Sequence, residues 1–212
     1  MKIAGGISEE GIVVGNTYDK YGSKNPIVRR IMAGFTGSLS SLVAQAKPRS
    51  IHEVGCGEGY WVRLWNGQGI PTRGSDFSEK VIELARENSG QKRGDTDSTF
   101  TARSIYDLEE GRDSADLIVC CEVLEHLEDP EAGLAALQRA ASNYVIVSVP
   151  REPIWCVLNM LRGKYWRQLG NTPGHLNHWS SSAFIRLVSK YFEVLEVKKP
   201  LPWTMLLCRV RR

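Results

Sequence analysis

Three glycines at alternate positions, Gly55, Gly57 and Gly59, end a short apolar run in the stretch EVGCGEGY, residues 53–60. Glycine tolerates positive φ and carries no side chain, so a ligand can press directly against the backbone there. Asp76 follows 21 residues after Gly55. A carboxylate at that distance can accept hydrogen bonds from both hydroxyls of a ribose, each worth about 1.5–3 kcal/mol when charge-assisted. The pair points to a nucleoside-bearing ligand. The spacing departs from the dinucleotide pattern G-x-G-x-x-G, because Tyr60 stands where the third glycine would be.

A second block, ADLIVCCEVLEHLEDP at residues 115–130, runs from an apolar strand pattern into acids and a histidine. His126 is the one general base this block offers, since an imidazole near neutrality suits proton removal from an attacking atom. Its plainer alternative is a structural histidine anchoring the loop. Further on, residues 153–192 contain no Asp or Glu, while Arg162, Lys164, Arg167, Arg186 and Lys190 are basic and Trp155, Tyr165, Trp166 and Trp179 aromatic. His175 and His178 lie three apart with no third ligand near in sequence, so no metal is expected.

Alternating elements must position these groups. Residues 1–25 are polar, Gly-rich and aperiodic, the pattern of a flexible lead-in. Val28, Ile31, Phe35, Leu39 and Leu42 form one helical face, with Gly34 and Gly37 as break points. Strands are expected at 50–54, 72–74, 99–102, 115–120 and 144–149, with helices at 58–65, 78–85 and 130–141 between them and a polar loop at 91–98. Ser78 and Asp129 are placed to cap two of these helices, the second followed by Pro130. Such alternation implies crossovers, hence a parallel sheet with helices on both faces. The end differs: after a helix at 180–190, strands at 192–197 and 203–210 are separated by too few residues for a crossover and must run antiparallel.

The chain has 212 residues, enough for one domain with a full core. Its 27 Lys and Arg against 24 Asp and Glu leave a net charge of +3, too small to demand nucleic acid. The five cysteines form no C-x-x-C pair or metal-ligand spacing, and no apolar run approaches a membrane span. A soluble protein of a reducing cytoplasm is expected.

EVGCGEGY resembles the first motif of class I S-adenosylmethionine-dependent methyltransferases. The 115–130 block looks like their fourth strand and following loop, F-D-x-V-x-x-x-x-x-L-x-H-x-x-D-P. The resemblance covers residues 16–210 and is nearest the ubiquinone- and menaquinone-type enzymes of small molecules. It implies an α/β fold built on a seven-stranded Rossmann-like sheet, order 3-2-1-4-5-7-6, with the last strand antiparallel. It also implies S-adenosylmethionine as cofactor and S-adenosylhomocysteine as product. On the matched positions the cofactor contacts are Glu53, Gly55, Cys56, Gly57, Asp76, Phe77, Ser104, Ile105, Cys121 and Glu122, the last two at the sulfonium end. Tyr18 and Tyr21 loosely match a Tyr-Asp-x-x-Tyr segment, one of whose aromatics covers the cofactor. RSIYDL, residues 103–108, departs from the family's Gly-Asp-x-x-x-Leu: Ser104 replaces an adenine-binding carboxylate.

Together these features predict one methyltransferase domain over 1–212, with an arm at 1–25 and a substrate lid at 151–179. The expected reaction passes a methyl group to an oxygen, nitrogen or carbon of a small-molecule acceptor that is apolar, aromatic or anionic. Trp155, Tyr165, Trp166, Arg167, His175 and His178 are the candidate acceptor contacts. Two alternatives stay open: an enzyme of the same fold using the cofactor for another transfer, and a membrane- or nucleic-acid-binding module built on the basic aromatic lid. Nucleic acid is not the expected partner, whereas a peripheral membrane contact is left open.

Overall fold

The computed structural model describes residues 1–6, 8–9, 12–16, 18–91, 99–161, 163, 165–172 and 174–211, without the side chains of Ser8, Ile12, Val13 and Arg167. Helix α1, Pro26–Ala46, opens the fold, with the Asn25 side chain accepting from the Ile27 and Val28 amides. It runs unbroken through Gly34 and Gly37. Each glycine costs about 0.5–1 kcal/mol, while fully burying Phe35, Leu39 and Leu42 contributes about 1.5–3 kcal/mol apiece. The buried stripe wins.

Strand β1 is Ile51–Val54, followed by α2 at Tyr60–Gly67, β2 at Thr72–Asp76, α3 at Glu79–Asn88 and β3 at Phe100–Ala102. Then come β4 at Ala115–Cys121, α4 at Pro130–Ala140 and β5 at Ala141–Pro150. The chain ends with α5 at Ile154–Leu161, α6 at Ser181–Val188, β6 at Phe192–Lys198 and β7 at Trp203–Val210. Ser78 and Asp129 cap α3 and α4 through the Val81 and Ala132 amides, as expected. Most of the expected loop at 91–98 (residues 92–98) lies outside the described residues.

The sheet order is β3-β2-β1-β4-β5-β7-β6. Its first five strands pair in parallel, and β7 is antiparallel to both β5 and β6. Successive strand side chains point to opposite faces, so Leu117 and Val119 pack with α1 and α2, whereas Ile118 and Cys120 pack with α4 and α6. Burial on both faces explains why β4 reads as a continuous apolar run. It also puts the carboxyl ends of β1, β2 and β4 side by side, where the motif residues collect.

The arm is not the unstructured lead-in its composition suggested. Ser8–Glu9 and Ile12–Val13 pair as a small antiparallel ladder, and Ala4 and Val14 are buried against Val81. Glu58 holds the arm in place: its Oε1 accepts from the Ala4 and Asn16 amides at 3.0 and 2.7 Å. A buried carboxylate that finds backbone donors in a distant segment leaves no periodic trace in the sequence.

Candidate functional site

The glycine turn follows β1 directly. Gly55, Gly57 and Gly59 all have positive φ, at 75°, 52° and 78°. Their roles differ. A Cβ on Gly55 would come within 2.2 Å of Val123 Cγ2, and one on Gly59 within 2.7 Å of the Phe100 ring. A Cβ on Gly57 would meet nothing within 4 Å. Two of the glycines permit packing, and the third leaves open space. The turn is pinned to β2: the Gly55 and Cys56 amides donate to the Ser75 carbonyl at 2.7 and 2.9 Å.

Asp76 closes the other side. Its Oδ2 accepts from the Gly57 amide and its Oδ1 from the Ser78 amide, both at 3.1 Å. Burial raises its carboxyl above the usual range, and these two amides oppose the shift.

A cavity of about 740 Å³ extends from this turn to His126. Glu53, Gly55, Cys56 and Gly57 line it from the first motif, Asp76 and Phe77 from the end of β2, and Ser104 and Ile105 from beyond β3. Cys121, Glu122 and His126 line it from the end of β4 and the turn after it. Tyr21 lines it too, stacked on Tyr60 with ring centroids 3.7 Å apart and its hydroxyl accepting from the Trp61 indole. Tyr18 is exposed and does not line the cavity. Ser104 accepts from the Tyr106 amide at 3.3 Å and starts a single 3₁₀ turn, Ile105–Asp107. Asp107 is exposed and borders the cavity.

Burial shifts the carboxyls of three glutamates in or beside this space. Glu53 is buried, and its Oε2 has no hydrogen-bond partner. Burial pushes its pKa well above the usual carboxylate range, helped by the charge of Asp76. Glu122 has a positive φ of 61°, strained for a residue with a Cβ. Its carboxyl is raised to about 7 by burial, against the pull of Lys20 and of hydrogen bonds from Ser148 and Trp203. Glu125 is buried with both oxygens unpartnered, and burial beside Glu122 holds its carboxyl well above the usual range.

His126 places Nδ1 2.9 Å from the Gly174 carbonyl oxygen. A carbonyl only accepts, so Nδ1 carries the hydrogen and the lone pair of the neutral ring is on Nε2. Burial lowers the pKa of this imidazole and favours that neutral form.

The lid reaches the site through two of its candidate residues. His175 packs edge-on to His126, with centroids 4.9 Å apart, and lies over Trp155 at 5.8 Å. Burial and the neighbouring histidines lower its pKa to about 3. Trp155 is fixed by donating from its indole to Thr172 Oγ1 and by packing near Trp203. None of Trp155, Tyr165, Trp166, His175 and His178 lines the cavity itself: His175 meets it only through His126, Trp166 is 63% exposed, and His178 pairs with Glu152 at 3.4 Å. The Arg167 side chain, with Arg162 and Lys164, lies outside the described residues. His126 lies nearer to His175 than His178 does, with ring centroids 4.9 against 6.4 Å apart. Glu125, His126 and His175 each bring one possible ligand atom to within 4.8 Å of the others.

Several lining residues were not among the candidate contacts. Lys20 comes from the docked arm, Phe35 from α1 and Tyr60 and Trp61 from α2. Trp203 contacts Glu122 from the last strand, 81 residues away. Only the position of Tyr60, directly after the glycine turn, could have suggested it.

A family model described as a methyltransferase domain matches residues 28–197. The chain belongs to the methyltransferase-domain family. This methyltransferase domain is 24% identical over 157 residues to the ubiquinone biosynthesis O-methyltransferase of Coxiella burnetii strain RSA 493, a match covering 67% of this chain and 65% of that one. The chain thus spans about 65% of the length of that curated relative. Over 91 residues it is 31% identical to the protein of the same name from Thiobacillus denitrificans, covering 43% and 39% of the two chains. In fold it is similar to magnesium protoporphyrin IX methyltransferase from Synechocystis PCC 6803, solved with bound S-adenosylhomocysteine. That match has a TM-score of 0.66 and 19% identity and covers 90% of each chain. The methyltransferase domain therefore has the class I sheet, β7 antiparallel included.

Proposed function

We propose that this methyltransferase domain transfers the methyl group of S-adenosylmethionine to an oxygen of a small, planar, largely apolar acceptor. One observation carries the proposal. A single cavity joins Asp76, the carboxylate suited to a ribose, to the neutral imidazole of His126. The residues present fit the cofactor. Asp76 keeps lone pairs free beyond its two amide contacts, Gly57 leaves open space, and the unpartnered Oε2 of Glu53 suits an ammonium group. When bound, S-adenosylmethionine supplies a methyl group activated by its sulfonium.

The chain's own residues do the rest. Asp76 and the glycine turn hold the ribose, Glu53 holds the amino group, and Ser104 with Ile105 borders the base. The stacked Tyr21 and Tyr60, held by the docked arm, exclude water along one wall. At the far end, Glu122 and His126 can each accept the proton of an attacking hydroxyl. A group titrating at about 7 is well matched to that task. Alignment of the acceptor supplies much of the acceleration.

Two features favour an apolar, planar acceptor bearing oxygen. Trp155 and His175 stack flat rings behind His126, and elsewhere the lid exposes Val157, Leu161, Trp166, Leu169 and Leu176. The name of the Coxiella and Thiobacillus relatives specifies an O-methyltransferase. Calorimetry with S-adenosylhomocysteine tests the cofactor site. Asp76→Ala should weaken binding by about 1.5–3 kcal/mol, roughly tenfold or more. Unchanged affinity removes Asp76 from the site, and tight NADH binding by the native chain overturns the cofactor assignment.

A further inference from the structure

Lys20 lines the cavity with its charge unanswered. Among the described residues its ammonium has no hydrogen bond and no ion pair, and it stands over the Tyr21 ring, 5.4 Å from the centroid. Arg103, also in the wall, is by contrast paired with Asp113 at 3.2 Å. Glu53 borders the same space, buried and with Oε2 unpartnered. Burial raises the Glu53 carboxyl, and the Lys20 charge is near enough to pull against that shift. An unpaired ammonium and an unpartnered carboxyl oxygen on one cavity wall suit a ligand that carries both charges.

Lys20 arrives on the N-terminal arm, and Glu58 fastens that arm. The Glu58 carboxylate is 1% exposed and takes the Ala4 and Asn16 amides on Oε1 and the Asn16 side-chain amide on Oε2. Gly15 passes so close that a Cβ there would come within 2.7 Å of both Glu58 Oε1 and Ala4 Cβ. Beyond this latch, Val14, Asn16, Lys20 and Tyr21 all line the cavity. The arm is thus an outer wall of the cavity, latched at Glu58 and unpaired at Lys20.

We propose that the arm is a strap that closes over the bound cofactor, with Lys20 pairing with the carboxylate of its amino-acid end while Glu53 takes the ammonium. On the S-adenosylmethionine reading of the cavity, on which this strap rests, both charged groups hang from one carbon. A ligand whose ammonium meets Glu53 therefore brings its carboxylate to where the Lys20 charge already acts. Lys20 reaches that carboxylate only while the arm is docked. The ligand then favours the docked arm, and by reciprocity the docked arm holds the ligand more tightly. The adenosine half, held by Asp76 and the glycine turn, makes no use of Lys20. Because Lys20 is only half-buried, solvent screens the pair, and losing it should cost about fivefold to tenfold in affinity.

The test compares two nucleosides on the full chain by calorimetry. S-adenosylhomocysteine carries the amino-acid end, whereas methylthioadenosine keeps the adenosine and the thioether without it. Lys20→Gln should weaken S-adenosylhomocysteine by about fivefold to tenfold and leave methylthioadenosine unchanged. Lys20→Arg should restore most of that loss. Hydrogen exchange reads the strap separately. With each ligand saturating, S-adenosylhomocysteine should slow exchange of the Ala4 and Asn16 amides more than methylthioadenosine does, and Lys20→Gln should abolish the difference. Equal weakening of both nucleosides by Lys20→Gln would make Lys20 a structural part of the arm and overturn its pairing with the carboxylate. Equal protection of the two amides by both ligands overturns the strap. A native chain that binds neither nucleoside fails the S-adenosylmethionine reading itself. Binding of both with no response to Lys20→Gln sinks the strap and spares that reading.

Discussion

The indole N–H of Trp203 donates to Oε2 of Glu122 at 2.5 Å, tying the last strand of the sheet to the strained residue at the end of β4. Ser148 Oγ donates to the other oxygen at 2.9 Å. Both bonds favour the ionised carboxylate and restrain a pKa that burial has already raised to about 7. Trp203→Phe keeps an aromatic ring against Phe35 but removes the donor. The Glu122 pKa should then rise, and the limb of kcat against pH that requires its ionised form should move to higher pH. A limb that stays in place, in a variant whose melting shows it folded, would remove Glu122 from proton transfer.

The three glycines make a second prediction, because the space around them differs. Gly55→Ala places a methyl 2.2 Å from Val123 at a φ of 75°, so it should cost about 2–4 kcal/mol from clash and strain together. Gly57→Ala meets only the left-handed backbone cost of about 1–2 kcal/mol, but its methyl points into open cavity. Denaturant melts should rank Gly55→Ala as the less stable. Gly57→Ala should show the larger loss of S-adenosylhomocysteine affinity relative to its loss of stability. Equal effects of the two on both measurements would mean that the turn is structural throughout.

The same glycines show what a sequence can and cannot reveal. Gly55, Gly57 and Asp76 were legible because a strand–turn–helix unit needs particular residue types at fixed local spacing. The closing strands β6 and β7 were legible because a link without room for a crossover leaves one pairing. The Glu125–His175 approach was not: it spans 50 residues and depends on two amides of one loop reaching a backbone carbonyl in another. His178, closer in sequence to His175, lies 6.4 Å from it by ring centroid, against 4.9 Å for His126. Lys20 was hidden for a similar reason, since its place in the cavity depends on Glu58 docking an arm with almost no apolar periodicity.

Two buried groups at the first motif give stability a defined pH dependence. His52 is held between Ser75 Oγ and the Asp113 carbonyl, and burial lowers its pKa from 6.5 to about 4. A depressed folded pKa means stability that is full above the unfolded value and lost as pH falls from 6.5 toward 4. The loss is on the order of 3 kcal/mol. Glu53 acts in the opposite direction. Its folded pKa is raised by burial, so its contribution is present below the ordinary carboxylate range and lost as pH rises through the folded value. In cofactor-free protein, His52→Gln should reduce the fall in melting temperature seen as pH drops from 6.5 toward 4, and Glu53→Gln should reduce the fall seen as pH rises above the ordinary carboxylate range. A melting profile unchanged by Glu53→Gln would assign that second fall to other groups.

The lid prediction rests on which tryptophan reaches the site. Trp155 lies on the ring of His175, which itself packs on His126, and it donates to Thr172, so it is linked to the reaction end through His175, behind the cavity lining. Trp166 is 63% exposed and outside the cavity lining. Trp155→Ala should raise the acceptor KM by roughly tenfold or more, the scale of a lost aromatic contact of about 1.5 kcal/mol, while S-adenosylhomocysteine affinity stays the same. Trp166→Ala should leave KM for a water-soluble acceptor unchanged. If the exposed apolar face of Val157, Leu161 and Trp166 instead docks on a lipid surface to collect an apolar acceptor, Trp166→Ala should reduce sedimentation with anionic vesicles. It should then also raise KM for vesicle-borne acceptor alone. The measurements separate the two lid faces: KM in solution reports on Trp155, and vesicle binding reports on Trp166. A Trp155→Ala variant with normal KM removes the inner face from acceptor binding, and native protein that ignores vesicles removes the outer face from membrane docking.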